Sequence, residues 1–320
     1  MIFIAHAWHD CMPKSEAVEC LGMLGVQIFF AISGYLIACR YSDKNFDNVW
    51  LDGIRYSWKK IKKFYPLHII TFAIFFLDKI YNNFEINFLS VALEITLTKA
   101  WHPTLFSNFN GAAWFLSAIV FIYLLVPFTV NFFKKFNTAQ LFMLLVVLFF
   151  CRITLESLTY RELFNGESTY FFLFYPSPIY RYTDFLFGYI GAVILNSGKF
   201  NLEFSTSAVQ IFLFAAYITG CVFFNAYTQF CWLPSMFLIL SVLIFYFVNK
   251  KGAANYLTGN FFFVHLGNIS FELFLIHYVV VALMPNYVNL ELSGLSTMAV
   301  LFLTTIITAE IFHKIPFIGK

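Results

Sequence analysis

The chain has 320 residues, of which 60% are hydrophobic, 22% aromatic and only 12% charged, with a formal net charge of +3. Soluble domains carry about 25% charged residues, so this composition excludes a soluble globular protein and indicates a single bundle of membrane helices rather than two soluble domains. The small positive charge sits on lysines in short connections between apolar runs, which gives no basis for a nucleic-acid partner.

A hydrocarbon core of about 30 Å takes about 20 apolar residues of helix, and by that length criterion the chain predicts an all-α polytopic fold of about ten crossings. The predicted spans are 1–9, 23–40, 66–81, 112–133, 139–155, 179–195, 208–224, 230–249, 260–284 and 295–313, all within one domain, 1–320. The first, "MIFIAHAWHD", is only half a span. It lacks the basic start, the long apolar stretch and the small-residue cleavage site of a signal peptide. It carries His6 and His9 in an H-x-x-H spacing beside Asp10 and Cys11. That spacing lacks the H-E-x-x-H pattern of helical metal sites, so no metal is expected. Cys11 and Cys20 share one connection, but no CxxC pairing occurs among the six cysteines.

The segment 41–65 follows, with Trp50, Ile54, Trp58 and Ile61 at helical spacing among Lys59, Lys60, Lys62 and Lys63. This is the pattern of an amphipathic helix lying on a membrane surface. It serves either as an anchor or as a docking surface for an anionic ligand such as a coenzyme A phosphate. Segment 82–111 reads as a connection between spans. Every second connection is basic, with Lys134 and Lys135, Lys199, Lys250 and Lys251, and Lys314 and Lys320 continuing the alternation. The positive-inside rule makes these connections cytoplasmic and the others, 82–111 included, external.

Ionisable and polar groups inside spans are functional candidates by default. His6 sits towards the outer end of the first span. Trp114 and Ser117 share a face at the start of "WFLSAIVFIYLLVP"; no G-x-S-x-G elbow surrounds Ser117, so a serine hydrolase is not expected. Arg152, near the end of its span, is expected to extend its long stem outward. Arg181 and Asp184, three residues apart in "YRYTDFLFGYIGAVI", lie on one face and can neutralise each other. Gly188 and Gly191 on the same span allow close approach of another helix. In "NISFELFLIHYVVV", Ser270 and His277 lie on one stripe, and Glu272 is expected near mid-membrane, where it needs a partner or water. His6, Trp114, Arg181, Asp184 and His277 project to similar depth.

These stretches, in this order, resemble the integral-membrane acyltransferase 3 family, whose members O-acylate bacterial surface glycans. The resemblance is carried by "HAWHD", "GVQIFFAISGYLI", "KKIKKFYPLH", "WFLSAIVFIYLLVP", "RYTDFLFGYIGA" and "ISFELFLIHYVVV", which span nearly the whole chain. It implies a multi-pass protein of the bacterial inner membrane. The implied reaction transfers an acyl group, acetyl in most members, from acyl-CoA to a hydroxyl of a cell-surface or lipid-linked glycan. No bound cofactor is implied; the partners are acyl-CoA, a glycan or glycolipid acceptor and membrane lipid. His6 matches the family's essential first-helix histidine, Arg181 the arginine of its R-x-x-[DE]-F element, and His277 the histidine of its ninth span.

On that resemblance His6, Arg181 and Asp184 are the catalytic candidates. His6 would act as base or acyl carrier, Arg181 would bind an anionic donor group or stabilise the oxyanion, and Asp184 would hold Arg181. Trp114, Ser117, Ser270, Glu272 and His277 are the substrate-binding candidates. The sequence departs from the family pattern in three places. Ile119 stands where many relatives have glutamate, and lysines occupy 59–63 where arginine is common. The arginine expected eleven positions before His6 would precede Met1, which implies a first helix incomplete at its amino-terminal end. Composition and topology alone also permit a flippase of a lipid-linked glycan, or an inactive truncated relative.

Overall fold

In the computed structural model the described residues are 1–13, 16–162, 172–198, 206–224, 233–248, 250, 252–288 and 294–315. Among them the chain is helical, with no strands. The helices are α1 (Ile2–Cys11), α2 (Glu16–Tyr41), α3 (Val49–Tyr81), α4 (Phe88–Ile95), α5 (Trp114–Phe133), α6 (Thr138–Glu162), α7 (Pro178–Asn196), α8 (Thr206–Phe224), α9 (Leu233–Val248), α10 (Ala253–Thr258), α11 (Phe261–Asn268), α12 (Ser270–Tyr287) and α13 (Gly294–His313). The described parts of the ten expected spans lie mostly on helix. Among the described residues, six helices are long and apolar enough to cross a membrane, and Thr206–Tyr217 and Ser235–Val248 are shorter apolar helices. The side chains of His9, Asp10 and Cys20, the lysines at 199, 251 and 320, and the connection 225–229 lie outside the described residues.

Three expectations about helix limits change. The segment 41–65 is not a separate surface helix. Its helical part starts at Val49, where the Asn48 side chain accepts from Leu51 N at 3.0 Å, and continues without interruption to Tyr81. Trp50, Ile54 and Trp58 do lie on an exposed face. The opposite face packs on α5, because Gly53 has no side chain to hold off the Leu124 carbonyl and Ser57 bonds to the Val120 carbonyl. The expected span 260–284 is two helices. Asn260 caps α11 through Phe263 N, and the chain turns at Ile269, after the helix-weak pair Gly267–Asn268, before α12 begins. Finally, 82–111 does not simply pass over the end of the bundle. After α4 it folds inward, burying Glu94, Lys99, Ala100 and Asn110.

Two cores meet along α5. One joins α2, α5, α7 and α9 around Phe30, Phe185, Tyr189 and Leu238; the other joins α1, α3, α12 and α13 around Ala7, Leu67, Ile276 and Leu301. Lipid tails are as apolar as leucine, so helices in a membrane associate through close packing of small residues. The contact of α2 with α7 follows this rule. A Cβ on Gly188 would overlap the Ala31 carbonyl, and one on Gly34 would overlap the Phe185 carbonyl. Gly191 meets Val242 of α9. The close approach expected at Gly188 and Gly191 is therefore present.

Candidate active site

His6 is placed by α1, which packs on α2, α12 and α13. Its Nδ1 lies 3.0 Å from Nε2 of His277, and the two rings stack with centroids 5.1 Å apart. The second nitrogen of His277, Nδ1, is 3.2 Å from the Leu273 carbonyl oxygen of the preceding turn. A carbonyl only accepts, so His277 Nδ1 carries a proton and donates it there. Neutral His277 then presents a lone pair at Nε2, and His6 Nδ1–H donates to it. In this arrangement Nε2 is the unprotonated nitrogen of His6. Carbonyl, His277 and His6 thus form a chain that fixes the tautomer of the last ring.

Tyr278 closes over this pair, edge-on to His6 at 5.2 Å. Behind it lies Gly111, where any Cβ would meet the Tyr278 ring at 2.5 Å. His277 also lines an apolar groove of about 200 Å³, together with Ile2, Phe3, Phe29, Ser270 and Phe274 among others. Ser270 and His277 line it together, as their shared stripe predicts. At a rise of about 1.5 Å per residue the seven residues between them span about 10 Å of groove.

Arg181 and Asp184 form a second, fully buried group. Arg181 Nη1 pairs with Asp184 Oδ2 at 2.5 Å, Nε donates to the Tyr175 carbonyl at 2.7 Å, and Nη2 donates to the Phe174 carbonyl. Arg152 does not extend outward. It is 3% exposed, and its Nη1 reaches Asp184 Oδ1 at 2.7 Å. It also donates to Thr183, to the Tyr180 hydroxyl at 2.7 Å and to Ser235 of α9 at 3.2 Å. A bare guanidinium is too costly inside an apolar bundle unless paired, and Asp184 is held between two of them. The outward stem expected of Arg152 fails because its partners lie on other helices.

Trp114 links the two groups. The Asn110 side chain accepts from Ala112 N at 3.1 Å and starts the 3₁₀ turn (Gly111–Ala113) that leads into α5 at Trp114. The Trp114 ring packs on Tyr175 at 4.8 Å, beside the carbonyl that Arg181 holds. Burial pushes the Tyr175 hydroxyl up to about 12; the Arg181 charge opposes this, and Tyr278 adds to it. A series thus runs from His6 and Tyr278 through Gly111 and its turn to Trp114, Tyr175, Arg181, Asp184 and Arg152. The structure does not place His6 in contact with Arg181.

The two remaining candidates lie apart from this series. The Ser117 hydroxyl accepts from Ala100 N at 3.1 Å and so ties the inward-folded loop to α5. Glu272 is not at the middle of a span. It lies in the first turn of α12 and bonds to His313 Nδ1, at the end of α13, at 2.8 Å. The short α11 moves the start of the helix to Ser270, and this places Glu272 near a helix end.

Comparison with known proteins gives the family. The Acyl_transf_3 family model, described as an acyltransferase domain, matches residues 1–313. Acyltransferase MdmB of Streptomyces mycarofaciens is 24% identical over 287 residues, which cover 82% of this chain and 69% of the relative. No solved structure matches. The matching stretch includes α1 with His6, the Trp114 turn, the Arg152–Asp184 network and α12 with His277. The chain belongs to the Acyl_transf_3 family of membrane acyltransferases.

Proposed function

We propose that this protein transfers an acetyl group from acetyl-CoA to a hydroxyl of a cell-surface or lipid-linked glycan at the bacterial inner membrane. The observation that carries this reading is the chain from the Leu273 carbonyl through His277 to His6, which leaves His6 Nε2 as a base of fixed orientation. In the proposed reaction the acceptor hydroxyl gives its proton to Nε2 as its oxygen attacks the thioester carbonyl. The tetrahedral oxyanion collapses, the carbon–sulfur bond breaks, and the leaving thiolate takes the proton back from His6. His277 positions the base and stabilises the imidazolium that forms, as the third member of a triad does.

The groove beside His277 is suited to the thioester arm. It is apolar and runs along α12 from Ser270, at the end where Glu272 meets His313 and where the basic connections are expected to face the cytoplasm. A donor arm entering there reaches His277 without crossing the whole bundle. Three of the five N–H donors of Arg181 are directed at Asp184 and at two main-chain carbonyls. In this reading Arg181 holds Tyr175 against Trp114, and Asp184 neutralises Arg181 and Arg152.

The test uses membranes with and without this protein, radiolabelled acetyl-CoA and the host's glycans. Label appearing in glycan only when the protein is present supports the reading. Glycan translocation without acetylation supports a flippase instead, and neither activity means an inactive relative.

A further inference from the structure

The mechanism leaves one buried charged pair unused. Glu94, at the end of α4, and Lys99, in the following turn, are each 1% exposed. Lys99 Nζ is 2.5 Å from Glu94 Oε2, 2.6 Å from the Asn108 carbonyl and 3.0 Å from the Asn110 carbonyl. Two of the ammonium protons go to those carbonyls, and the Glu94 carboxylate pairs with the charge. The pair thus draws both ends of the loop 94–110 onto one cation. A buried ion pair is weak evidence for stability, since apolar residues of similar volume often serve as well. Its role calls for another account, and the loop's contacts supply one.

The loop is tied to three helices. His68 of α3 bonds to the Glu94 carbonyl at 3.0 Å, and Ser117 of α5 accepts from Ala100 N. Asn110, 0% exposed, donates through Nδ2 to the Leu275 carbonyl of α12 at 3.1 Å, two residues before His277. The next residue, Gly111, abuts the ring of Tyr278, which covers His6. The Lys99 ammonium grips the main-chain carbonyl of the same Asn110.

We propose that Glu94 and Lys99 are a positioning pair for acyl transfer: they clamp the inward-folded loop so that Asn110 and Gly111 hold His277 and Tyr278 in register with His6. Neither residue touches the reacting atoms. The proposal rests on the acyl-transfer reading above for its kinetic consequence, whereas the clamp itself is a statement about the loop.

Two variants test it, each measured in two ways. Glu94→Gln with Lys99→Met removes both charges together and leaves no lone buried ion. Asn110→Ala cuts the link to α12 and leaves the ion pair in place. The first measurement is amide hydrogen exchange over residues 96–113 in the purified protein, a readout independent of catalysis. Exchange there rises in the double variant while α5 beyond Val120 stays protected. The second is steady-state transfer from acetyl-CoA. Misplacing a catalytic group by about 1 Å costs up to about 100-fold, so both variants lose about 10–100-fold in kcat with the KM for acetyl-CoA unchanged. Combining all three substitutions lowers kcat no further than either variant alone, because both act through the same link.

Unchanged exchange in the double variant overturns the clamp. Loosened exchange with wild-type kcat overturns the positioning role, as does a folded Asn110→Ala with wild-type kcat or additive losses in the triple variant. A wild-type protein that turns over no acyl donor refutes the reaction instead, and the clamp then stands or falls on exchange alone.

Discussion

Asp184→Asn is the substitution whose cost the structure defines most sharply. The carboxylate is 0% exposed and lies between Arg152 at 2.7 Å and Arg181 at 2.5 Å, themselves 3% and 2% exposed. Asparagine is almost isosteric, so packing is preserved and the loss is electrostatic. It leaves two guanidinium ions buried near one another, with one amide oxygen to share where two carboxylate oxygens stood. Removing one partner of a buried pair costs about 3–5 kcal/mol, and here one deletion affects two partners. At about 2 °C per kcal/mol for a large chain, the unfolding midpoint falls by at least about 6 °C. The assay is thermal unfolding of detergent-purified protein followed by intrinsic fluorescence. Adding Arg152→Met to Asp184→Asn removes one charge of each sign and recovers part of the loss. A midpoint for Asp184→Asn within about 1 °C of wild type would refute the view that this carboxylate neutralises both arginines.

Other expectations follow from single contacts. Gly188→Leu forces a side chain into the Ala31 carbonyl and separates α2 from α7; folded yield in detergent falls severalfold, while Gly198→Ala, in open space, serves as a control limited to the strain of a positive φ. His277→Gln breaks the relay that sets the His6 tautomer, and kcat falls by about 10²–10⁴ with the KM for acetyl-CoA little changed. Glu272→Gln loses its pairing with His313, away from the His6 series; it lowers the unfolding midpoint but leaves KM for both substrates unchanged, and a raised KM would return Glu272 to the binding site.

Sequence patterns located the helices well because a membrane helix announces itself by length and apolar composition alone. The glycine contact of α7 was legible for a similar reason: small residues one turn apart have few other uses in a span. The break at Ile269 was missed because apolar residues continue through it, and only the Gly267–Asn268 pair marks the turn. Contacts across the chain were less accessible. His6 and His277 are 271 residues apart, and only their shared depth hinted that they meet. Arg152 sits alone in its own helix, and its partners come from α7 and α9, so an outward stem was the simplest reading of the sequence. Glu94 and Lys99 fall in a polar connection, where charges ordinarily mean solvent. Their burial depends on a loop that turns inward, and no local spacing encodes that turn.

The central claim is that His6 is the base of an acyl transfer, and it is tested most directly by His6→Ala assayed with radiolabelled acetyl-CoA in membranes that also contain the acceptor glycan. The account predicts that the variant folds, since His6 is only part-buried, and that transfer of label falls to the level of membranes lacking the protein. Wild-type acetylation by the folded His6→Ala variant would contradict it.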